Sequence, residues 1–223
     1  MTVDLMDHIG SDEAVVRAAR VSTKGSASKG AEADAGLINY LMRDRHGSPF
    51  EHSGFTFYVE APIVVFREFQ RHRIASYNEE SGRYKILQPE FYIPALGRPL
   101  VQVGKPGAYV FEQGTATQED IVDDSFADVS RAAWDAYQCM LDAGVAREVA
   151  RMVLPLNIFS SMYVTMNARS LMNFLSLRSS EQGRFPSFPM HEIADVAERM
   201  EALFAEAMPL THAAFIGSGR VAP

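Results

Sequence analysis

Cysteine is almost absent from this sequence. Cys139 is the single cysteine among 223 residues, so no disulfide can form within the chain. This excludes the disulfide-stapled folds that are typical of small secreted proteins. Because Cys139 lies beside Met140 and Leu141 on a predicted amphipathic helix, we interpret it as a lone buried thiol that packs as a small apolar residue.

Long apolar runs are also missing. No segment approaches the roughly 20 consecutive apolar residues that a membrane-spanning helix needs. Residues 1–9 contain Asp4 and Asp7 instead of a basic start followed by an apolar stretch, so we expect no signal peptide. A cytoplasmic location is therefore the expectation.

Positive charge is in deficit. The chain has 21 Lys and Arg against 28 Asp and Glu, which gives a formal net charge of -7. An acidic chain is a poor candidate for general binding to nucleic acid, although a local basic pocket can still bind a small anion. Hydrophobic residues make up 47% and charged residues 22%, values of a folded chain with a sizeable core.

Hydrophobic periodicity predicts an α+β fold, with one domain over residues 1–223 and a mixed or antiparallel central sheet flanked by helices. Helices are predicted at about 11–20, 37–45, 62–73, 118–141, 145–155, 167–178 and 191–208, and strands at 55–59 and 158–166. Ser11 and Asn167 are predicted to cap two of the helices.

The segments between these elements are polar or rich in glycine. Residues 22–30 and 76–84 are predicted loops, and residues 97–116 a flexible excursion that has room for a hairpin. Residues 217–223 are expected to form a frayed tail. None of these segments indicates a second domain.

The densest group of polar side chains lies within residues 71–84. It consists of Arg71, Arg73, Asn78, Glu79, Ser81 and Arg83. Arginine presents a planar fork of donors that suits phosphate, and a serine hydroxyl with backbone N–H groups can complete an anion cradle. The same residues also fit a solvated helix end with local salt bridges, so their spacing alone leaves both interpretations open.

A longer match points to a known family. The triplet Arg71-His72-Arg73, followed after seven residues by Ser81, matches the signature of the flavin-dependent thymidylate synthases. Ser76, Asn78, Glu79 and Arg83 also follow the family pattern. Residues 46–52 resemble a second block of the family, and residues 151–155 and 167–178 resemble a third. The similarity covers roughly residues 11–212.

This resemblance implies reductive methylation of dUMP to dTMP. The one-carbon unit would come from methylenetetrahydrofolate, and FAD reduced by NADPH would carry the hydride. It also implies a homotetramer whose active sites lie at subunit interfaces. A cysteine nucleophile is not needed, in agreement with the position of Cys139 outside every motif.

The resemblance assigns site residues as follows. Cofactor binding falls to Ser48, Arg71, His72, Arg73, Glu79, Asn167, Ala168, Arg169 and Asn173. Substrate binding falls to Glu68, Phe69, Gln70, Arg71, Glu79, Glu80, Ser81, Gly82, Arg83, Arg151 and Arg178. Glu68 departs from the family, because many members carry glutamine there; it is expected to hold an arginine or to bond a ribose hydroxyl.

Arg178 is expected to be the main catalytic side chain. A guanidinium beside the uracil edge stabilises negative charge as N3 loses its proton or as charge develops on O2. Without the resemblance, Arg178 is also explained as a cation at a helix C-terminus. Ser81 has no clear base beside it in the sequence, so we assign it to substrate binding and not to nucleophilic attack.

Other interpretations remain open at this point. One is a different flavoenzyme acting on a pyrimidine nucleotide, and another is a nucleic-acid-binding module with a stripe of Arg67, Arg71, Arg73 and Arg83. No metal site is expected from His46, Glu51 and His52, because adjacent residues of a strand point to opposite faces.

Overall fold

The computed structural model describes residues 1–23 and 29–223, so the middle of the predicted loop at 22–30 lies outside the described residues. The elements are β1 (Thr2–Ile9), α1 (Asp12–Arg20), α2 (Ala31–Arg43), β2 (Gly54–Pro62), α3 (Ile63–Phe69), β3 (Ser76–Glu79), β4 (Val101–Lys105), β5 (Ala108–Glu112), α4 (Ala116–Asp142), α5 (Arg147–Ala150), β6 (Phe159–Met166), α6 (Ala168–Arg178), α7 (His191–Ala207) and α8 (Pro209–Gly217). Single 3-10 turns cover Ser48–Glu51 and Arg151–Val153. The predicted α+β class is confirmed.

The contacts of the backbone define two compact units. The first unit comprises Met1–Val59, Gln70–Asn78 and Met162–Pro223. The second unit comprises Glu60–Phe69 and Glu79–Ser161. The single domain over 1–223 stays a prediction.

The first unit holds most of a four-stranded sheet in the order β1-β2-β6-β3. Phe55, Phe57 and Val59 alternate along β2 and are fully buried, as expected for a strand with one face on a core. Phe204 of α7 packs edge-on against Phe55, with 5.5 Å between ring centroids. Buried residues recur at helical spacing along α6 and α7, so the core lies between these helices and the sheet.

Two predicted helix caps are confirmed. The Ser11 hydroxyl accepts a hydrogen bond from the backbone N–H of Ala14, and the Asn167 side chain accepts one from Ser170. Each side chain satisfies a backbone donor that the first helical turn leaves without a partner. The start of α6 at Ala168 determines which later residues of that helix share a face.

The chain end differs from the prediction, because residues 217–223 are not frayed. Pro209 begins an additional helix, α8, where the sequence pattern predicted only the end of α7. Arg220 is 8% exposed and Ala222 is 4% exposed. The frayed-tail prediction was wrong because a buried ion pair between Arg220 and Glu201 holds the segment.

The polar segment that carries the arginine triplet also differs. We predicted that Arg71, His72 and Arg73 end a helix, but α3 ends at Phe69 and the triplet follows it. The hydroxyl of Tyr77 donates to the main-chain oxygen of His72, an acceptor that a continuing helix would use itself. Residues 76–79 form β3 instead of a loop, because pairing beside β6 satisfies their backbone despite their polar side chains.

The second unit contains the predicted hairpin and the longest helix. Strands β4 and β5 pair antiparallel, with Lys105 opposite Ala108, which confirms the hairpin within residues 97–116. A capping box of Thr115 and Gln118 begins α4. Along its 27 residues α4 buries only Ser130 and Tyr137. Cys139 is exposed, contrary to the prediction of a buried thiol, because little of the described chain covers this helix.

Candidate active site

The first unit brings His72 and Arg178 together. The Nε of Arg178 donates a hydrogen bond to Nε2 of His72 at 3.1 Å. The His72 ring also packs edge-on against Phe174, with 4.9 Å between ring centroids. Phe174 and Arg178 are four residues apart on α6 and therefore share one helix face, which lets both contact the same imidazole. We call these three residues the imidazole cluster.

The imidazole of His72 is neutral in this arrangement. Burial, together with the positive charge of Arg178, lowers the pKa of His72 to about 4. Arginine only donates hydrogen bonds, so Nε2 of His72 must be the acceptor and cannot carry a proton. The direction of the hydrogen bond and the lowered pKa thus agree on a neutral imidazole.

The backbone of His72 is held by Tyr77. The Tyr77 hydroxyl donates to the main-chain oxygen of His72 at 2.7 Å. Burial raises the pKa of Tyr77 to about 12, so this hydroxyl keeps its proton at neutral pH. Tyr77 was not predicted as a site residue; its signal in the sequence was only its position inside the matched segment.

The neighbours of His72 are cationic and exposed. Arg71 and Arg73 both lie at the surface. Within residues 1–23 and 29–223 no acidic side chain forms an ion pair with either of them. Their charge is available to an anionic ligand, as predicted for phosphate groups.

The start of α6 places the predicted cofactor residues side by side. Arg169 donates from Nε to the main-chain oxygen of Pro223 at 2.6 Å and from Nη1 to Glu51 at 2.5 Å. Asn173 donates to the main-chain oxygen of Arg169 at 3.1 Å. Ala168 is fully buried and its N–H donates to Ser53 Oγ, so its side chain and its amide face the protein interior.

Ser48 lies close to this group along the chain. It begins the 3-10 turn that ends at Glu51, and its side chain is exposed. A Cβ on the preceding Gly47 would collide with the guanidinium of Arg169 and lie 2.9 Å from the main-chain oxygen of Pro223, so a larger residue there must displace them. Glu51 forms an ion pair with Arg169, and among the described residues no group of three or more His, Cys, Asp or Glu could hold a metal ion.

The second unit contains a cleft of about 410 Å³ lined by predicted substrate residues. Its polar lining consists of Arg67, Glu79, Glu80, Ser81, Gly82, Arg151 and Ser160, and its apolar lining of Ile63, Leu87, Met152, Leu154, Leu156 and Ile158. A concave site with an apolar floor and a few convergent polar groups is typical of small-ligand binding. We call it the carboxylate cleft.

Two adjacent glutamates are anchored in this cleft by β6. Ser160 donates to Glu79 at 3.4 Å, and Ser161 donates to Glu80 at 3.2 Å. Burial raises the pKa of Glu79, even though the hydrogen bond from Ser160 and the charges of nearby arginines favour its ionised form. Lys85 forms an ion pair with Glu80 at 2.9 Å. The two serines were not predicted, because only the tertiary pairing brings them to the glutamates.

Ser81 lies at a turn and not beside a base. Its hydroxyl accepts from the N–H of Arg83 at 3.3 Å, and its main-chain oxygen accepts from Tyr84 and Lys85. The second unit contains no histidine among its residues. The unit that carries Ser81 thus supplies no imidazole to activate it, which favours a binding role.

The remaining predicted substrate residues lie away from the lining of the carboxylate cleft. Arg83 forms an ion pair with Glu148 at 3.3 Å and lines a neighbouring open groove. Phe69 is fully buried in the core, so only its main chain can reach a ligand. Gln70 is exposed and Glu68 is half-buried. Arg67 lines the cleft although the sequence pattern placed it only in a hypothetical basic stripe.

Comparison with known proteins identifies relatives over the full chain. The family described as "Thymidylate synthase complementing protein" matches residues 4–210. A flavin-dependent thymidylate synthase of Streptomyces avermitilis is 58% identical over 230 residues, covering 100% of this chain and 94% of the relative. A flavin-dependent thymidylate synthase of Tropheryma whipplei is 58% identical over 228 residues, covering 100% of this chain and 95% of the relative. The crystal structure of the UMP/dUMP methylase PolB from Streptomyces cacaoi bound with 5-Br UMP has a TM-score of 0.93 and 49% identity, covering 100% of this chain and 96% of that chain.

Proposed function

This chain belongs to the flavin-dependent thymidylate synthases, and on that premise we propose that it methylates carbon 5 of dUMP to form dTMP. The one-carbon donor is methylenetetrahydrofolate, and NADPH reduces the FAD cofactor. The observation that carries the proposal is the imidazole cluster, in which the neutral His72 orients the guanidinium of Arg178. Both residues lie in segments that match the family.

The side chains of the first unit fit FAD. Arg71 and Arg73 supply positive charge that no acidic side chain of the described chain neutralises by an ion pair, as a pyrophosphate requires. Ser48 and Asn173 add exposed polar groups, and Arg169 adds a partly exposed guanidinium. Bound FAD would supply the hydride that converts the transferred one-carbon unit to a methyl group.

The carboxylate cleft fits a pyrimidine nucleoside monophosphate. Arg151 and Arg67 offer positive charge for the phosphate, and the carboxylates of Glu79 and Glu80, which line the cleft, can accept hydrogen bonds from sugar or base. A Cβ on Gly82 would approach Leu87 and Arg151 to 3.2 and 3.3 Å, so glycine keeps the wall of the cleft open. The volume of about 410 Å³ lies within the usual range for small-ligand sites.

Arg178 acts as an electrostatic stabiliser. With Nε donating to His72, the terminal nitrogens of its guanidinium are held in one orientation. Directed at a uracil edge, they stabilise the charge that develops on O2 or on deprotonated N3, which makes carbon 5 a better nucleophile. Since arginine has no acceptor group, another group removes the proton from carbon 5.

We also infer a homotetramer in which several chains contribute to one active site, as the family resemblance implies. The second unit supports this with an exposed apolar groove lined by Val64, Phe126, Val129, Pro155 and Leu156. Val129 is 57% exposed and Leu156 is 50% exposed. An exposed apolar groove is a surface that a partner can cover, and we propose that a second copy of this chain covers it.

The location is proposed to be cytoplasmic. In residues 1–23 and 29–223, the helices are too short or too polar to cross a membrane. The proposed substrates are small soluble nucleotides and cofactors.

The decisive experiment is tritium release from carbon 5 of labelled dUMP. The purified protein is given FAD, NADPH and methylenetetrahydrofolate together, and the product is identified by mass. Release should require all components. No release from protein that has bound FAD and dUMP would contradict the proposal. UMP is tested in parallel, because the similarity to the UMP/dUMP methylase PolB favours the ribonucleotide as a second candidate substrate.

The rival interpretation as a nucleic-acid-binding module is tested with the same preparation. Steep salt-dependent binding to duplex DNA would support that module. The net charge of -7 favours the opposite result, tight binding of free dUMP without affinity for DNA.

A further inference from the structure

Residues 218–223 are held by a buried ion pair. Arg220 donates from Nη1 and Nη2 to the two carboxylate oxygens of Glu201, at 2.9 and 2.6 Å. His212 contacts the same carboxylate at 2.9 Å. Burial alone would raise the pKa of Glu201, but hydrogen bonds from Arg220 and His212 outweigh it and lower the pKa. A paired and buried carboxylate with both oxygens bonded anchors this segment to α7.

The backbone turns sharply at this anchor. Gly219 and Arg220 both have positive φ, at 71° and 57°. Arg220 is therefore in a left-handed conformation that a non-glycine residue adopts only when its surroundings favour it. The backbone N–H of Arg220 donates to the main-chain oxygen of Phe215 at 2.9 Å, and the ion pair of its side chain with Glu201 holds it further. The turn directs residues 221–223 back along the first unit.

After the turn, this segment reaches Arg169. The main-chain oxygen of Pro223 accepts from Arg169 Nε at 2.6 Å, and that of Ala222 accepts from Arg45 at 3.4 Å. Glu51 bonds Nη1 of Arg169. Two acceptors from distant parts of the chain thus hold different nitrogens of one guanidinium.

This arrangement leaves part of Arg169 available to a ligand. Its side chain is 41% exposed although two of its nitrogens are engaged. Ordering a free arginine side chain costs rotamer entropy. Since Pro223 and Glu51 already order Arg169, a ligand that binds it meets less of that cost.

We propose that residues 220–223, anchored through Glu201, are a positioning element that holds Arg169 ready for the flavin. The inference rests on the proposed function, which makes Arg169 a flavin-binding residue. Pro223 and Arg220 contact Arg169 and Glu201 respectively and need not contact the flavin themselves. The geometry accounts for the burial of a segment whose sequence predicts a frayed end.

A double-mutant cycle tests this element. The dissociation constant of FAD is measured by fluorescence titration of flavin-free protein for four forms: the full chain, the chain shortened to end at Ala222, Arg169→Ala, and the two changes combined. Shortening should weaken FAD binding about tenfold, which corresponds to about 1.4 kcal/mol. In the Arg169→Ala background it should change the dissociation constant less than about twofold.

Equal effects in both backgrounds would overturn the inference, because they would show that Pro223 acts without Arg169. An unchanged dissociation constant in the shortened chain would overturn it as well. Failure of every form, including the full chain, to bind FAD would instead refute the proposed function.

Two substitutions on α7 separate positioning from general stability. Glu201→Gln should reproduce the loss of FAD affinity, because a neutral amide no longer binds the Arg220 guanidinium as an ion pair. Arg199→Ala is the matched control, since Arg199 is an exposed residue paired with Asp195. Both variants are compared at equal folded fraction by circular dichroism. Unchanged FAD affinity in folded Glu201→Gln protein would contradict the anchoring role.

Discussion

Arg178 and His72 are 106 positions apart in the chain, yet Nε of the arginine donates to Nε2 of the histidine at 3.1 Å. The contact joins the last residue of α6 to the segment that follows α3. It requires a neutral imidazole, and burial keeps His72 neutral by lowering its pKa to about 4. The orientation of the proposed catalytic guanidinium therefore depends on the protonation state of one histidine.

Arg178→Ala should lose most methylation while FAD still binds. Removal of one charge-stabilising group from an active site typically costs about 10²–10³-fold in kcat. Tritium release from dUMP measures the rate, and the flavin absorbance of the purified variant measures cofactor binding. Full turnover of the variant would refute the catalytic role of Arg178.

His72→Gln should change the pH dependence of stability. The folded pKa of His72 is about 4, below its ordinary value of 6.5. Between these values the unfolded chain binds a proton at His72 that the folded chain does not, so this group's contribution to stability is complete above about pH 6.5 and falls as the pH drops towards 4. Glutamine keeps an acceptor and does not titrate.

The melting temperature of the wild-type chain should consequently fall more steeply than that of His72→Gln between pH 7 and pH 4, a window taken from the two pKa values of His72. Differential scanning fluorimetry in one buffer series checks this. Parallel curves for the two proteins would show that His72 is not kept neutral by the fold.

Ser81→Ala should weaken dUMP binding and leave kcat at saturating dUMP nearly unchanged. A lost neutral hydrogen bond costs about 0.5–1.5 kcal/mol, so the KM for dUMP should rise roughly 2- to 12-fold. Steady-state kinetics separate the two constants. An inactive variant with unchanged dUMP affinity would revive a nucleophilic role for Ser81.

Gly47→Ala should weaken FAD binding, because the new methyl group would collide with Arg169 Nε at 2.4 Å and with the main-chain oxygen of Pro223 at 2.9 Å. Gly36→Ala is the matched control. Gly36 lies in α2 with open space around it, and alanine there should stabilise the fold by about 0.5–1 kcal/mol. FAD titration and thermal melting are measured on both. Normal FAD affinity in Gly47→Ala would show that Arg169 can move without consequence.

Val129→Lys should lower the oligomeric state. A charge placed in the proposed contact groove must be desolvated when a second chain covers it. Size-exclusion chromatography with light scattering gives the mass of the species. Asp128→Asn, at the adjacent exposed position, is the control and should leave the mass unchanged. A tetramer that survives Val129→Lys would place the interface elsewhere.

Local patterns in the sequence predicted several features correctly. The caps at Ser11 and Asn167, the strand that begins near Phe55 and the hairpin within 97–116 all follow from interactions among residues a few positions apart. The family signature at Arg71-His72-Arg73 and Ser81 also lies in one short segment. These features could be predicted because helix caps, tight turns and strand alternation depend on residues that lie only a few positions apart.

The sequence by itself determined the fold class, the family and the residue types available for the chemistry. The tertiary structure alone decided that Ser160 and Ser161 bond the two glutamates, that Arg220 pairs with Glu201, and that His72 is neutral. Each of these joins residues far apart in the chain, or depends on how deeply a group is buried. Burial and long-range pairing arise from packing of the whole core, and no local pattern encodes them.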